Sequence, residues 1–253
     1  ESINKVTEEK IDYSDVPKPS ALRISTMTAT SSINSNIQLS TISKYLEPNE
    51  QIKYIEHGLI KKGVSSKHIS EKKAKKKKVF YNQITIEVIV KNNITNNIKL
   101  FNNGAISMTG LKSEEYGREA VSILLGYLKK TTGTDEEGNQ YACLDNPSAE
   151  VTGFNIVLIN SDYYIGYEIK RAELHKLLVN KYKIFSSYEP CIYPGVNSKF
   201  YWNEDYLDKE YKGKCYCSNL CDGKGKGKGN GNCKKITISA FQSGSVIITG
   251  ARN

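Results

Sequence analysis

Hydrophobic and polar residues alternate along this chain in short runs, and one such pattern occurs twice. Ile236, Ile238 and Ala240 share one side of a run, with Thr237, Ser239 and Phe241 on the other. After a turn through Gly244 the alternation resumes, Val246 and Ile248 against Ile247 and Thr249. The earlier copy sets Ile98, Leu100, Ile106 and Met108 against Lys99, Phe101, Ser107 and Thr109, around Gly104. In both, Gly follows Phe by three residues, Thr by eight and a second Gly by nine. Successive strand side chains point to opposite faces, so each copy predicts a β-hairpin around a glycine turn. One face is an ordinary core; the other is semi-polar and holds a large aromatic beside the turn. A self-match of this kind fixes architecture before any other signal does.

The remaining pattern predicts the rest of the fold. Residues 1–19 are polar, end in Val16-Pro17-Lys18-Pro19 and read as a flexible tail. A β-leaning run follows from Ala21 to Thr30. Leu39, Ile42 and Leu46 recur at helical spacing before Pro48. Ile84, Ile86 and Val88 alternate against Thr85 and Glu87 as a half-buried strand. Ser113 is placed to cap a helix whose first turn holds Glu114 and Glu115, where acids complement the helix dipole. Tyr116, Ala120, Ile123, Leu124, Tyr127 and Leu128 continue it as an amphipathic stripe. After a turn-rich stretch, Phe154–Ile159 reads as a strand and Leu174, Leu177, Leu178 and Tyr182 as a helix face. The two prolines of the 185–195 stretch argue against regular structure there. The predicted organisation is a first repeat at 20–132 with a basic insertion at 51–79, a linker at 133–150, and a second repeat at 151–253 with a Cys/Gly/Lys insertion at 203–233. The second repeat stops one helix short, which predicts poor cover over Val246 and Ile248 and a gene that continues beyond Asn253. The start at Glu1, without Met, likewise suggests a piece of a longer product.

Charge sharpens this picture. The 253 residues carry a net charge of +9, a composition that favours a polyanionic partner. The run Glu71-Lys-Lys-Ala-Lys-Lys-Lys-Lys78 reads as a nuclear-import or phosphate-binding patch, or as a solvated loop. No apolar run approaches membrane-spanning length, so no membrane partner is expected. His57, His68 and His175 stand in unrelated contexts, and no nucleophile–base set stands out, so enzymatic chemistry is not expected. Cys215, Cys217, Cys221 and Cys233 lie within nineteen residues. Two readings stand: a structural zinc site, since four thiolates satisfy a tetrahedral ion, or free thiols in a loop. Cys143 and Cys191 have no evident partners. No other cofactor is called for.

Four stretches in order carry a family resemblance. Phe185-Ser-Ser-Tyr-Glu-Pro190 with Tyr193-Pro-Gly195 resembles a loop of the TATA-box-binding protein family. Thr109-Gly-Leu-Lys-Ser-Glu-Glu115, Phe241-x-Ser-Gly244 with Thr249-Gly-Ala-Arg252, and Ile24-Ser-Thr-Met27 are similar to its hairpin, helix-start and first-strand motifs. The coverage runs from about residue 20 to the end, broken by three insertions, and suggests a divergent member, of the kind a large DNA virus carries. The resemblance implies an α+β, pseudo-twofold saddle: one curved antiparallel sheet with helices on its convex face. It implies a transcription initiation factor that kinks A/T-rich, TATA-like duplex DNA from the minor groove and recruits a transcription factor IIB-like protein and RNA polymerase machinery, in the nucleus or a cytoplasmic viral factory. Tyr81 and Phe101, then Tyr193 and Phe241, match the inserting aromatics; two are Tyr where the family usually has Phe, and a hydroxyl must then be desolvated. Thr109, Thr249, Ser107, Ile247 and Asn155 match base-edge contacts, and Lys99, Lys112 and Arg252 phosphate contacts. Leu22 stands where a second asparagine would be, and Ala105 and Ser245 where lysines are common. Glu189 and Ile192 match the loop that holds the IIB-like factor. Two other readings of the same fold are a domain of a DNA-repair enzyme and an interaction module without DNA binding.

Overall fold

The computed structural model describes residues 14–66, 80–204, 213–216 and 233–251. It is an α+β protein whose strands β1–β13 pair antiparallel wherever their register is defined, with three α helices among the described residues. Two compact units divide it, Ile24–Ser161 with Thr249–Asn253, and Asp162–Ile248 with Glu1–Arg23. They are called here the first and second units.

The first unit runs β1 (Arg23–Ile33), α1 (Leu39–Tyr45), β2 (Ile52–His57), β3 (Ile60–Gly63), β4 (Gln83–Ile89), β5 (Thr95–Phe101), β6 (Ala105–Leu111), α2 (Glu114–Lys130), the small hairpin β7 (Thr132–Thr134) and β8 (Gln140–Ala142), and β9 (Val151–Tyr164). Its sheet order is β9-β1-β6-β5-β4-β2-β3. Ala29, Ile84, Ile86, Val88, Ile98, Leu100 and Met108 are 0% exposed on one face of that sheet. Against this face packs α2, burying Ala120, Val121, Leu124, Leu125 and Leu128. Ser113 caps α2 as its position predicts, its Oγ accepting from Tyr116 N–H at 3.2 Å. At the β5–β6 turn Gly104 takes φ +80°, and a Cβ there would lie 2.0 Å from the Ile33 carbonyl oxygen, so only glycine closes this hairpin.

The basic insertion is partly strand. Ile52–His57 and Ile60–Gly63 extend the sheet beyond β4, with a register shift between Ile52 and Tyr54. The lysine run itself lies outside the described residues.

In the second unit come α3 (Arg171–Asn180), β10 (Phe185–Ser187), β11 (Val196–Trp202), β12 (Lys234–Ala240) and β13 (Ser245–Ala251), in sheet order β10-β11-β12-β13. The 185–195 stretch therefore opens with three strand residues before its prolines. Gly244 repeats the Gly104 requirement, with φ +87° and a Cβ that would stand 2.2 Å from the Tyr167 carbonyl oxygen. The N-terminal segment is docked: Ser20 N–H donates to the Tyr164 carbonyl at 2.7 Å, Tyr164 N–H to Ser20 Oγ at 2.9 Å, and Arg23 pairs with Asp162 at 3.0 Å. No helical residue of α3 is buried. Between α3 and the strands lies an apolar cavity of about 210 Å³ lined by Leu174, Leu178, Ile184, Phe200 and Ile238. Val246 is 5% exposed, so it is covered where poor cover was expected, and Ile248 is half-buried.

Candidate nucleic-acid interface

In each unit the sheet face opposite the apolar one is a lattice of small polar groups. In the first unit, register sets Thr30, Ser107, Lys99, Thr85, Glu56 and Lys61 in one row across β1, β6, β5, β4, β2 and β3. The next row is Thr28, Thr109, Asn97, Glu87 and Tyr54. Phe101 ends β5 half-buried on this face, beside the turn. Thus Ser107, Thr109, Lys99 and Phe101 converge as the pattern predicts.

Other predicted residues have partners of their own. Tyr81 is 66% exposed ahead of β4; its ring meets His57 edge-on at 6.4 Å and its carbonyl faces His57 Nε2 at 3.1 Å. No ring contact joins Tyr81 to Phe101 among the described residues. Lys112 Nζ donates to the Ser25 carbonyl at 2.9 Å, so this cation holds backbone together. Asn155 is exposed on β9, its amide donating to the Gly153 carbonyl at 2.9 Å. Arg252 lies outside the described residues.

The outer strands carry acids on this face. Glu87 is 2% exposed and accepts from Ser65 Oγ at 2.7 Å and Ser66 N–H at 2.8 Å. Burial raises its pKa, but these bonds and nearby Lys53 outweigh it, and the net shift is downward, so it stays a carboxylate. Tyr54 beside it is pushed up to about 12 by burial and then by Glu56. Glu56 is paired to Lys61 at 3.5 Å, and Lys99 stands at the centre of its row.

The second unit repeats the lattice: Phe185, Lys199 and Thr237 form one row, Ser187, Asn197 and Ser239 another. Asn197 donates to Ser239 Oγ at 3.4 Å and Lys199 Nζ to Thr237 Oγ1 at 2.9 Å. Burial, with Lys235 close by, lowers the pKa of Lys199. Sequence reasoning passed over Lys199 and Asn197, although Val196-Asn-Ser-Lys-Phe-Tyr-Trp202 does alternate. Ile247 is 38% exposed on β13, where alternation puts it on the Thr249 side.

Here the two aromatics are assembled. Tyr193 and Phe241 pack edge to face, centroids 5.7 Å apart at 61°. Gly195 leaves them room, since its Cβ would lie 2.9 Å from Tyr193 and 3.1 Å from Phe241. In the adjoining loop the Glu189 carbonyl accepts from Ile192 N–H at 2.9 Å and Tyr193 N–H at 2.8 Å, which projects Ile192 to 84% exposure beside the exposed Glu189.

Of the cysteine cluster, Cys215 is half-buried and Cys233 buried, with Asn203 donating to the Cys233 sulfur at 3.5 Å. Cys217 and Cys221 lie outside the described residues, and no group of three metal-binding side chains occurs among those described. Cys143 is a core thiol pushed up to about 11 by burial, donating to the Leu128 carbonyl at 3.1 Å.

An antiparallel sheet with a hydroxyl-lined face and aromatics at its hairpin turns defines the class, and comparison with known proteins supplies the relatives. No protein-family profile matches the chain. Over 242 residues it is 29% identical to a TATA-box-binding protein-like protein of Acanthamoeba polyphaga mimivirus, a match spanning 92% of this chain and 60% of that relative. The chain thus spans about 60% of the curated relative's length. The structure of Methanococcus jannaschii TBP covers 92% of this chain and 90% of its own with a TM-score of 0.50 at 16% identity, a likeness of fold. In sequence and in fold the chain is TATA-box-binding-protein-like, and divergent.

Proposed function

We propose that this chain is a non-enzymatic transcription initiation factor that binds and kinks A/T-rich duplex DNA from the minor groove. The observation that carries the reading is the Tyr193–Phe241 pair at the edge of a face made of Thr, Ser and Asn. The minor groove offers acceptors at A·T pairs and an added amino donor at G·C. Small hydroxyl and amide groups accommodate the former and are obstructed by the latter. Aromatic wedges unstack a base step at a cost of a few kcal/mol, offset by the contact that bent DNA allows, and TA steps yield most easily. Lys99, Lys199 and Lys235 supply salt-dependent attraction to phosphates.

A competition series tests this directly. Inosine·cytosine pairs keep the minor groove of A·T and a major groove close to that of G·C. The protein should bind an A/T-rich duplex and its inosine·cytosine counterpart alike, and the G·C counterpart more weakly. Binding in which inosine·cytosine behaves as G·C would contradict minor-groove reading. No binding to any duplex would favour the interaction-module alternative.

The exposed Glu189–Ile192 loop is the proposed seat of a transcription factor IIB-like protein, through which polymerase machinery is recruited. Glu189→Arg should abolish the ternary complex while leaving DNA affinity within about twofold, since one rim charge shifts affinity modestly. Equal loss of both would reject that assignment. Zinc held by Cys215, Cys217, Cys221 and Cys233 is proposed as a structural element of the second unit, outside the DNA chemistry.

A further inference from the structure

Arg171, the first residue of α3, reaches three residues at once, two in the 185–195 loop and one in the hairpin turn. Its Nη1 donates to the Pro194 carbonyl, its Nη2 to Gln242 Oε1 at 3.0 Å, and its guanidinium lies 5.4 Å from the ring centroid of Tyr188. Pro194 directly follows Tyr193, and Gln242 directly follows Phe241, so the two hydrogen bonds bracket the aromatic pair. Tyr188 belongs to the loop that carries Glu189 and Ile192. The backbone reinforces the turn-side tie, Ile169 N–H donating to the Gln242 carbonyl at 2.9 Å.

We propose that Arg171 is a positioning residue that couples the aromatic wedge to the partner loop, so that DNA engagement is read out at Ser187–Ile192. This rests on the DNA-binding reading above. A guanidinium is a rigid planar fork that stays charged, so it can satisfy two acceptors in its plane while presenting a face to an aromatic ring. Charge-assisted hydrogen bonds of this kind are directional and stronger than neutral ones. If Tyr193 and Phe241 part around a base step, Pro194 and Gln242 move with them. The fork must then follow or release one acceptor, and either change alters its contact with Tyr188. Lysine, a point charge without a plane, cannot hold both acceptors and the ring in one geometry.

Hydrogen exchange at the amides of Ile192 and Tyr193, which close the loop onto the Glu189 carbonyl, reads the coupling. The measurement is made on the wild type, Arg171→Met, Arg171→Lys and Gln242→Ala, each free and saturated with an A/T-rich duplex. In the wild type, DNA should change these exchange rates by about tenfold, the scale of a modest shift in local opening. Arg171→Met should abolish the change, and Gln242→Ala, which leaves the cation and Tyr188 in place, should reduce it. Arg171→Lys, which keeps the charge but not the planar fork, should restore only part of the change. A wild type that binds the duplex with unaltered loop exchange overturns the proposal. So does an Arg171→Met protein, folded by circular dichroism, that transmits the full change. A wild type that binds no duplex overturns the DNA reading and the coupling with it, and is distinguished because binding itself is then absent.

Discussion

The two units use the same alternation to different depths. In the first, Ile84, Ile86, Ile98, Leu100 and Met108 are sealed at 0% exposure beneath a 17-residue helix with a side-chain cap. In the second, the 10-residue α3 has no side-chain cap and no buried residue, and it leaves a cavity of about 210 Å³ against the strands. The functional features run the other way. The second unit holds its aromatics together and ties them to the loop through Arg171, whereas Tyr81 and Phe101 in the first make no ring contact with each other. The first unit is the more closely packed, and in the proposed function the second carries the surface that acts. Sites of action are commonly drawn from the less stable parts of a fold.

The contrast is broken most readily by truncating one leucine in each unit. Leu124 is 0% exposed, and Leu124→Ala should cost about 3 kcal/mol, removed contacts plus the void they leave. Half-buried Leu178 already borders a cavity, so Leu178→Ala should cost about 1 kcal/mol or less. Urea unfolding followed by circular dichroism measures both. Equal losses would mean that the second unit is as well packed as the first.

A smaller effect sharpens the contrast through the metal proposal. Protein purified without chelator should hold about one zinc per chain, released by strong chelators. Trp202, the single tryptophan, sits one residue from Asn203, which bonds Cys233, so its fluorescence should shift on chelation. The Leu124 core should be untouched. Metal-free protein with unchanged fluorescence and stability would remove zinc from the account.

Much of this organisation was legible before any coordinates. Ser113 with its acids and the Leu124–Leu128 stripe announced α2, because capping and 3.6-residue periodicity are local signals. Both hairpins were legible from their repeated Phe-x-x-Gly and Thr-Gly spacing. The extra strands β2 and β3 were not. The bulge between Ile52 and Tyr54 breaks the period-two alternation, and the lysines that follow drew the segment toward a loop reading. β11 was missed because a buried serine, Ser198, occupies its core side where an apolar residue is expected. Arg171 was invisible for a different reason. Its hydrogen-bond partners lie 23 and 71 residues away, and no local pattern encodes such a contact. The packing of Tyr81 against His57 and the β2–β3 turn is likewise a tertiary outcome.

The central claim is that the assembled pair in the second unit bends DNA. Energy transfer between dyes at the two ends of a TATA-containing duplex measures it. Wild-type protein at saturation should shorten the end-to-end distance. Phe241→Ala should lose most of that shortening, Phe101→Ala a smaller part, and both should keep the salt-dependent attraction that the lysines supply. A wild-type complex that forms on this duplex with its end-to-end distance unchanged would contradict the account.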